Sequence, residues 1–258
     1  LQVMANKRSA PLTARHCGPR WGRVSMHSSP SGGLAGRPAG LTIASMDTDT
    51  GPVDADILAE LAPDRLLLAY AHGAFPMVEG GELMWFCPDP RGLLPLDDRL
   101  HVPRRLGQRI RSGRFVCTFD RCFAEVMRLC GERPGEDERE GTWISPEIHL
   151  AYRRLHELGH AHSVEAWPAG RVGEGSPVGG AYGVALGGAF FAESMFHTAT
   201  DAGKVALVHL LRHLGRRGFA FCDVQWTTDH LETFGAYERP SMEYLAELHE
   251  ALARRIAF

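Results

Sequence analysis

Residues 178–225 read VGGAYGVALGGAFFAESMFHTATDAGKVALVHLLRHLGRRGFAFCDVQ, and this stretch decides the fold. Val178 to Leu186 and Ala189 to Phe191 are apolar runs on either side of Gly187-Gly188, the signature of a two-stranded hairpin. Lys204 to Arg217 carries apolar residues at helical spacing, and Phe219 to Gln225 is a further strand. Working outward, His162 to Trp167 alternates as a strand should. Pro146 to Leu158 reads as an amphipathic helix, capped by Ser145 or Thr142 and stopped by Gly159. Met242 to Ile256 is expected to be a terminal helix. Upstream, Asp54 to Ala71 gives two short helices interrupted by Pro63 and ending at Gly73. Gly73 to Met77 is expected to be a turn, Leu83 to Cys87 a short strand, and Pro88-Asp-Pro-Arg91 a rigid turn. Glu132 to Glu140 is a charged loop. Helices interspersed with antiparallel strands make the class α+β.

The 258 residues are 44% hydrophobic and 23% charged with a net charge of −3, an ordinary globular composition for one sizeable domain, or one with a small partner. No run approaches the roughly 20 apolar residues of a membrane-spanning helix, which excludes a membrane-embedded protein. Cysteines at positions 17, 87, 117, 122, 130 and 222 contain no C-x-x-C pair, so free thiols in a reducing cytoplasm are expected. Residues 1–46 differ from the rest: they hold Lys7, Arg8, Arg15, Arg20, Arg23 and Arg37, no acid and no apolar period. A disordered basic tail or an over-extended translation start near Met46 fits this composition, with an organelle targeting segment as a third reading. Without that segment the charge is −9, so any RNA partner must meet a local basic patch. Arg104, Arg105, Arg109, Arg111 and Arg114 form such a run with no acid among them; it is either a solvated helix face or a phosphate contact surface.

His156-Glu-Leu-Gly-His160 matches H-E-x-x-H, which binds zinc only where one helix carries both imidazoles. Gly159 falls between them at the end of the helical pattern, so His160 is expected outside the helix and no metal site is assigned. The informative polar residues lie elsewhere. Glu193 sits in an otherwise apolar strand end, where an unpaired charge costs several kcal/mol, so it must have a partner, for which the strand Phe219 to Gln225 supplies the candidates. Period 2 puts Asp223 and Gln225 on one face of their strand, with Cys222 and Val224 on the other. Three polar residues at the ends of apolar runs point to a site.

The chain resembles the leucyl/phenylalanyl-tRNA-protein transferase family. The resemblance rests on Ala69 to Met77 (AYAHGAFPM), Trp85 to Arg91 (WFCPDPR), Gly141 to Ile144 (GTWI), Tyr152 to Glu165 (YRRLHELGHAHSVE), Val178 to Val184 (VGGAYGV) and Phe190 to Phe196 (FFAESMF). Lys204 to Leu207, Asp223-Val-Gln225, His230-Leu231 and Gly235-Ala236 complete it. These segments span Asp54 to Arg239, about seven tenths of the chain, and the H-E-x-x-H stretch is one of them, without a metal role. The resemblance implies a small N-terminal α/β domain, over residues 47–100, and a larger domain similar to the Gcn5-related N-acetyltransferases, over residues 101–258. It implies transfer of Leu, Phe or Met from aminoacyl-tRNA to the N-terminal Lys or Arg of a protein, which marks that protein for degradation by the bacterial N-degron route. Asp223 and Gln225 are carried over as the catalytic pair and Glu193 as the residue that positions substrate. Trp143, Trp85 and Phe86 look like the contacts to the tRNA 3′-adenosine, and Phe190, Met195 and Leu207 match part of the aminoacyl pocket. Phe86 stands where the family often has Trp, Gly203 where Ser is commoner, and Ala181 is smaller than the usual residue.

An aminoacyl ester is already activated, so its aminolysis needs no nucleotide, metal or redox cofactor, and none is expected. The partners are then aminoacyl-tRNA and proteins with N-terminal Lys or Arg, for a cytoplasmic, monomeric enzyme. The five arginines named above are the expected phosphate contacts. The Gln225 carbonyl oxygen is expected to accept a hydrogen bond from the incoming amine while Asp223 polarises and orients the carboxamide. Rival readings are an acyltransferase of the same broad fold that uses a thioester donor or builds peptidoglycan cross-bridges, a non-enzymatic RNA-binding protein, and a zinc protease. The first is disfavoured because no Gly-rich pyrophosphate loop is visible.

Overall fold

A computed structural model of the protein describes residues 53–132 and 142–258. The readings of residues 1–46 and of the charged loop beyond Glu132 lie outside the described residues. Helix α1 (Ala55–Glu60) starts where the Asp54 carboxylate accepts the Asp56 and Ile57 amides at 2.9 and 3.2 Å. Helix α2 (Pro63–Ala71) opens on Pro63, so the expected break at that residue is present.

Next come β1 (Phe75–Glu79) and β2 (Glu82–Phe86), an antiparallel pair with Phe75 opposite Phe86. The turn expected over Gly73 to Met77 is thus corrected: only Gly73, at φ 77°, turns the chain, and Phe75 to Met77 are strand. Gly80 and Gly81, both at positive φ, close the hairpin in a way that lets the upstream residues pair. Strand β3 (Arg91–Leu94) follows, then α3 (Arg104–Arg111), β4 (Phe115–Phe119) and α4 (Phe123–Glu132).

Helix α5 (Pro146–Glu157) is capped by Ser145, whose hydroxyl accepts the Ile148 amide. It ends with Gly159 at φ 79° and a bond from the His160 amide back to the Leu155 carbonyl at 2.8 Å. That closure puts His160 outside the helix, while the His156 ring stacks on Phe123 and bonds the Ala161 carbonyl through Nδ1 at 2.7 Å. Strands β5 (Ala161–Pro168), β6 (Gly179–Leu186) and β7 (Ala189–His197), helix α6 (Ala202–Arg217) and strand β8 (Phe221–Gln225) follow. The chain finishes with α7 (Asp229–Glu232), β9 (Tyr237–Arg239) and α8 (Ser241–Leu252), the last stopping short of the expected Ile256. Among the described residues no helix is long and apolar enough to cross a membrane.

Seven strands form one mixed sheet in the order β4-β5-β6-β7-β8-β3-β9. Because β3 lies inside it, residues 91–94 belong to the sheet even though they precede residue 100. The predicted hairpin is β6 and β7, and its Gly187-Gly188 turn presses on α8. A Cβ at Gly187 would lie 2.7 Å from the Leu252 Cα. One face of the sheet packs on Leu66, Val126, Ile148 and Leu248 of α2, α4, α5 and α8, the other on Val205, Leu207 and Leu211 of α6. Each fully buried Leu or Phe contributes roughly 1.5–3 kcal/mol, so both layers are held by the hydrophobic effect.

Two irregularities shape the centre of the sheet. The parallel pairing of β7 with β8 covers only Ala189–Phe191 against Phe221–Asp223, and β7 runs on to His197 and β8 to Gln225 beyond it. Within β7, Ala192 faces Gly183 and Ser194 faces Tyr182, leaving Glu193 as the extra residue of a bulge.

Candidate active site

Glu193 projects from that bulge into the layer of α2 and α5 and is 5% exposed. The Tyr70 hydroxyl donates to its Oε1 at 2.6 Å, and the Tyr70 and Tyr152 hydroxyls are hydrogen-bonded to each other. Tyr70 has one hydroxyl proton, already given to Glu193, so Tyr152 donates into the Tyr70 oxygen. The hydrogen-bond partner expected from the strand Phe219 to Gln225 is thus corrected to a chain of two phenols from two helices, because the bulge aims Glu193 at α2 and α5. Burial pushes the Glu193 carboxyl up to about 7; the Tyr70 hydrogen bond pulls it down, the Asp223 charge raises it and the Arg91 charge lowers it. Burial, followed by the Glu193 charge, keeps Tyr70, Tyr152 and Tyr182 protonated well above the ordinary phenol range.

Asp223 faces the same layer two strands away from β6, opposite Phe191 in the register. It has no exposed surface, and Arg91, equally buried, places its Nε 2.9 and 3.0 Å from the two carboxylate oxygens. The Tyr244 hydroxyl donates to Oδ2 at 2.6 Å and the Gln225 backbone amide to Oδ1 at 2.9 Å. Asp223 thus reaches Gln225 through the backbone, whereas the side-chain Nε2 of Gln225 is buried without a protein partner among the described residues. Gln225 has φ 60°, and the Trp226 amide bonds the Val224 carbonyl across it at 2.7 Å, a γ-turn in the sparsely populated left-handed region. Near the end of the β7–β8 pairing, Glu193 thus senses the charge of Asp223, whose Oδ1 in turn holds the amide of Gln225 in its strained turn.

Residues 93–249 match the model of the leucyl/phenylalanyl-tRNA protein transferase family and residues 59–89 that of its N-terminal domain. The chain belongs to this family. Proteins named leucyl/phenylalanyl-tRNA-protein transferase are 53% identical over 195 residues in Nitratidesulfovibrio vulgaris (74% of this chain, 80% of that one) and 48% identical over 194 residues in Akkermansia muciniphila (74% and 96%). Among solved structures, L-PGS from Bacillus licheniformis is similar at TM-score 0.38 and 12% identity (75% of this chain, 71% of that one). A GCN5-related N-acetyltransferase from Sphaerobacter thermophilus is similar at 0.35 and 15% (67% and 52%). Both scores lie below 0.5, so the fold rests on the sheet described above. As a member of the leucyl/phenylalanyl-tRNA-protein transferases the protein is an aminoacyltransferase, acting between aminoacyl-tRNA and proteins.

The other residues carried over from the transferase family fall in three places. Phe190, Met195 and Leu207 share one apolar cluster, on the α6 face of the sheet rather than the Glu193 face. The bulge explains Met195: the extra residue puts Ser194 and Phe196 on the tyrosine side and turns Met195 toward α6. Phe190 and Leu207 have no exposed surface, while Met195 is half-buried. Both departures from the family pattern touch Met195, since Ala181 is its cross-strand neighbour and a Cβ at Gly203 would lie 3.0 Å from its Cε.

Trp85, Phe86 and Trp143 are half-buried against the cluster on the Glu193 face. Phe86 stacks on Phe75 at 6.1 Å, and Trp226, next to Gln225, meets both rings edge-on at 6.3 and 5.4 Å. On α3 and just after it, Arg104, Arg105, Arg111 and Arg114 are exposed, and Arg109 is engaged by Asp201 at 3.3 Å.

Sequence reasoning missed Arg91, Tyr70, Tyr152 and Tyr244 as partners of the two carboxylates. Both carboxylates needed partners, which was a signal, but tyrosines at helical core spacing read as packing. Arg91 opens the four-residue run Arg-Gly-Leu-Leu, too short to reveal a buried strand.

Proposed function

We propose that this transferase moves Leu, Phe or Met from aminoacyl-tRNA to the N-terminal Lys or Arg of acceptor proteins, the step that commits them to N-degron degradation, and works as a cytoplasmic monomer without a cofactor. The observation that supports this reading is the Glu193 carboxyl, pushed up to about 7 chiefly by burial and sensing the charge of Asp223, whose oxygen holds the Gln225 amide beside the parting of β7 and β8. In the reaction the acceptor α-amine attacks the ester carbonyl carbon. The new N–C bond forms, the C–O bond to the tRNA ribose breaks, and the ribose oxygen leaves with a proton as a hydroxyl. A peptide α-ammonium has a pKa near 7.7–8.0, so a base near 7 can take its first proton. Glu193 is that base.

Gln225 holds the attacking nitrogen by its carboxamide oxygen, and Asp223 fixes the turn that presents it. Holding amine and ester at near-attack distance is worth up to roughly 7–11 kcal/mol, more than a mild base supplies. Trp143, Trp85 and Phe86 take the terminal adenosine and Arg104, Arg105, Arg109, Arg111 and Arg114 the phosphates; the aminoacyl side chain passes between the parted ends of β7 and β8 to half-buried Met195 on the α6 face, with Phe190 and Leu207 buried behind it.

Transfer of labelled Leu from Leu-tRNA to a peptide beginning with Arg, beside one beginning with Ala, tests the proposal. Labelling of the Arg peptide alone is expected. Charged-tRNA binding without labelling of either peptide would instead favour a non-catalytic RNA-binding protein.

A further inference from the structure

We propose that Arg91 is a positioning residue for the transfer, acting on Gln225 through Asp223 and the γ-turn at the end of β8. The inference rests on the reading of the reaction above and adds a residue to it.

The Arg91 guanidinium is held by two rings and by acceptors at Nε and Nη1, while its Nη2 is buried without a protein partner among the described residues. It lies between the rings of Phe75 and Tyr244, 5.1 and 4.9 Å from their centroids. Its Nη1 donates to the Gly73 carbonyl at 2.8 Å and its Nε is shared by both oxygens of Asp223. A guanidinium fixed by stacking and by hydrogen bonds in one plane orients a carboxylate more narrowly than a point charge does.

Asp223 passes that orientation on. A carboxylate has about four acceptor positions. Here three protons reach them: the single Nε–H of Arg91 shared between both oxygens, the Tyr244 hydroxyl at Oδ2 and the Gln225 amide at Oδ1. Its acceptors are therefore engaged by protein donors, which makes Asp223 a strut rather than the proton acceptor. The bond to the Gln225 amide holds a residue whose φ of 60° is strained outside glycine. Without the strut, Gln225 relaxes toward extended backbone and its carboxamide swings away from the amine.

The residue after Arg91 serves the same turn by a different means. Gly92 pairs with Gln225 at a bulge in the register, and a Cβ there would lie 2.7 Å from the Trp226 carbonyl carbon and 2.8 Å from the Thr227 nitrogen. Consecutive residues of β3 thus template the turn, one with a side chain and one by lacking it. Stability alone does not call for this arrangement, since a buried ion pair can be exchanged for apolar residues of similar volume without loss.

The test uses the full chain with Arg91→Lys, which keeps a positive charge beside Asp223 but loses the planar fork. Three quantities are measured: the single-turnover rate constant for Leu transfer to an Arg-initiated peptide with both substrates saturating, the Kd for Leu-tRNA, and the melting midpoint. Expected is a fall of about 10- to 100-fold in the rate constant, as for a displacement near 1 Å at the reacting atoms, with Kd within about twofold of wild type. An unchanged rate constant overturns the proposal, and so does a loss matched by an equal weakening of Leu-tRNA binding, which marks general fold support. Should Arg91→Lys not fold, Tyr244→Phe decides. It removes one hydrogen bond from Asp223 and leaves the ion pair, and a slower rate constant at unaltered Kd supports the proposal while an unchanged one overturns it. Wild-type protein that binds Leu-tRNA and transfers nothing refutes the underlying reading, and the role of Arg91 falls with it. Transfer by wild type and by Arg91→Lys at equal rates refutes only the role of Arg91.

Discussion

Glu193 keeps its proton to higher pH in the folded protein than in the unfolded chain, so replacing it by Gln changes stability in a pH-dependent way. Folding raises its proton affinity from the ordinary 4.5 to about 7, chiefly because burial removes the solvation of the carboxylate. Between those values the native state holds a proton that the unfolded state has released, so stability falls as pH rises through the window and levels off above it. One pKa unit corresponds to about 1.4 kcal/mol, so the ionised side chain costs on the order of 3 kcal/mol at pH 8 and nothing below pH 4.5. Glu193→Gln has nearly the same shape, still offers an oxygen to the Tyr70 hydroxyl and cannot ionise. Urea unfolding of both proteins between pH 4.5 and 8.5 is expected to give similar stabilities at the acid end, with the variant ahead by on the order of 3 kcal/mol at the alkaline end. Other titrating groups are common to both chains and cancel in the difference. A stability difference that does not vary with pH, or a wild-type advantage that grows toward alkaline pH, refutes the account of Glu193 as a buried acid near neutrality. The same variant should transfer poorly at every pH, because its amide takes no proton.

Gly92→Ala pushes a methyl group into the backbone of Trp226 and Thr227, so a transfer rate at least about tenfold lower is expected at unchanged Leu-tRNA affinity; wild-type kinetics would show that the turn tolerates displacement. Charge reversal at Arg104, Arg105 and Arg111 should weaken tRNA binding and flatten its dependence on salt by about 0.7–0.9 in log-log slope for each phosphate no longer neutralised. An unaltered salt slope, measured by filter binding, removes α3 from the tRNA surface. Gly203→Ser brings a Cβ 2.9 Å from the Phe196 carbonyl oxygen and 3.0 Å from the Met195 methyl, so both the end of β7 and Met195 shift, and the ratio of Leu to Phe transfer is expected to change by roughly 10-fold, the scale of one misfitted methylene. Met195→Ala should alter the same ratio, and equal Leu, Met and Phe preferences before and after both changes would return Met195 to a packing role.

The main elements were legible because their signals are local. The hairpin over Gly187-Gly188, the helix of Lys204 to Arg217, the break at Pro63 and the stop at Gly159 each follow from side-chain period and from the backbone freedom of one or two residues. The same reasoning dismissed H-E-x-x-H, and the helix does end before His160. Strands β3, β4 and β9 escaped because each has five residues or fewer and takes its stability from neighbours distant in the chain. The β1 strand reads as a turn because Gly73 and Pro76 are strong turn signals, but Gly73 turns the chain before the strand, and the hairpin that holds Pro76 is closed by Gly80-Gly81.

By itself the sequence determined the α+β class, the family, and the need of Glu193 for a partner. Those conclusions depend on residue identity and short-range period, which the chain carries wherever it folds. Tertiary structure alone decided that two phenols shield Glu193, that Arg91 and Tyr244 rather than solvent surround Asp223, and that a bulge sends Met195 to the opposite face. Such outcomes depend on which distant donor comes within hydrogen-bond reach of a buried acceptor and on where one extra residue enters a ladder. Pairings of that kind span more than 100 residues for Tyr70 with Glu193 and for Arg91 with Asp223 and leave no periodic trace in the chain.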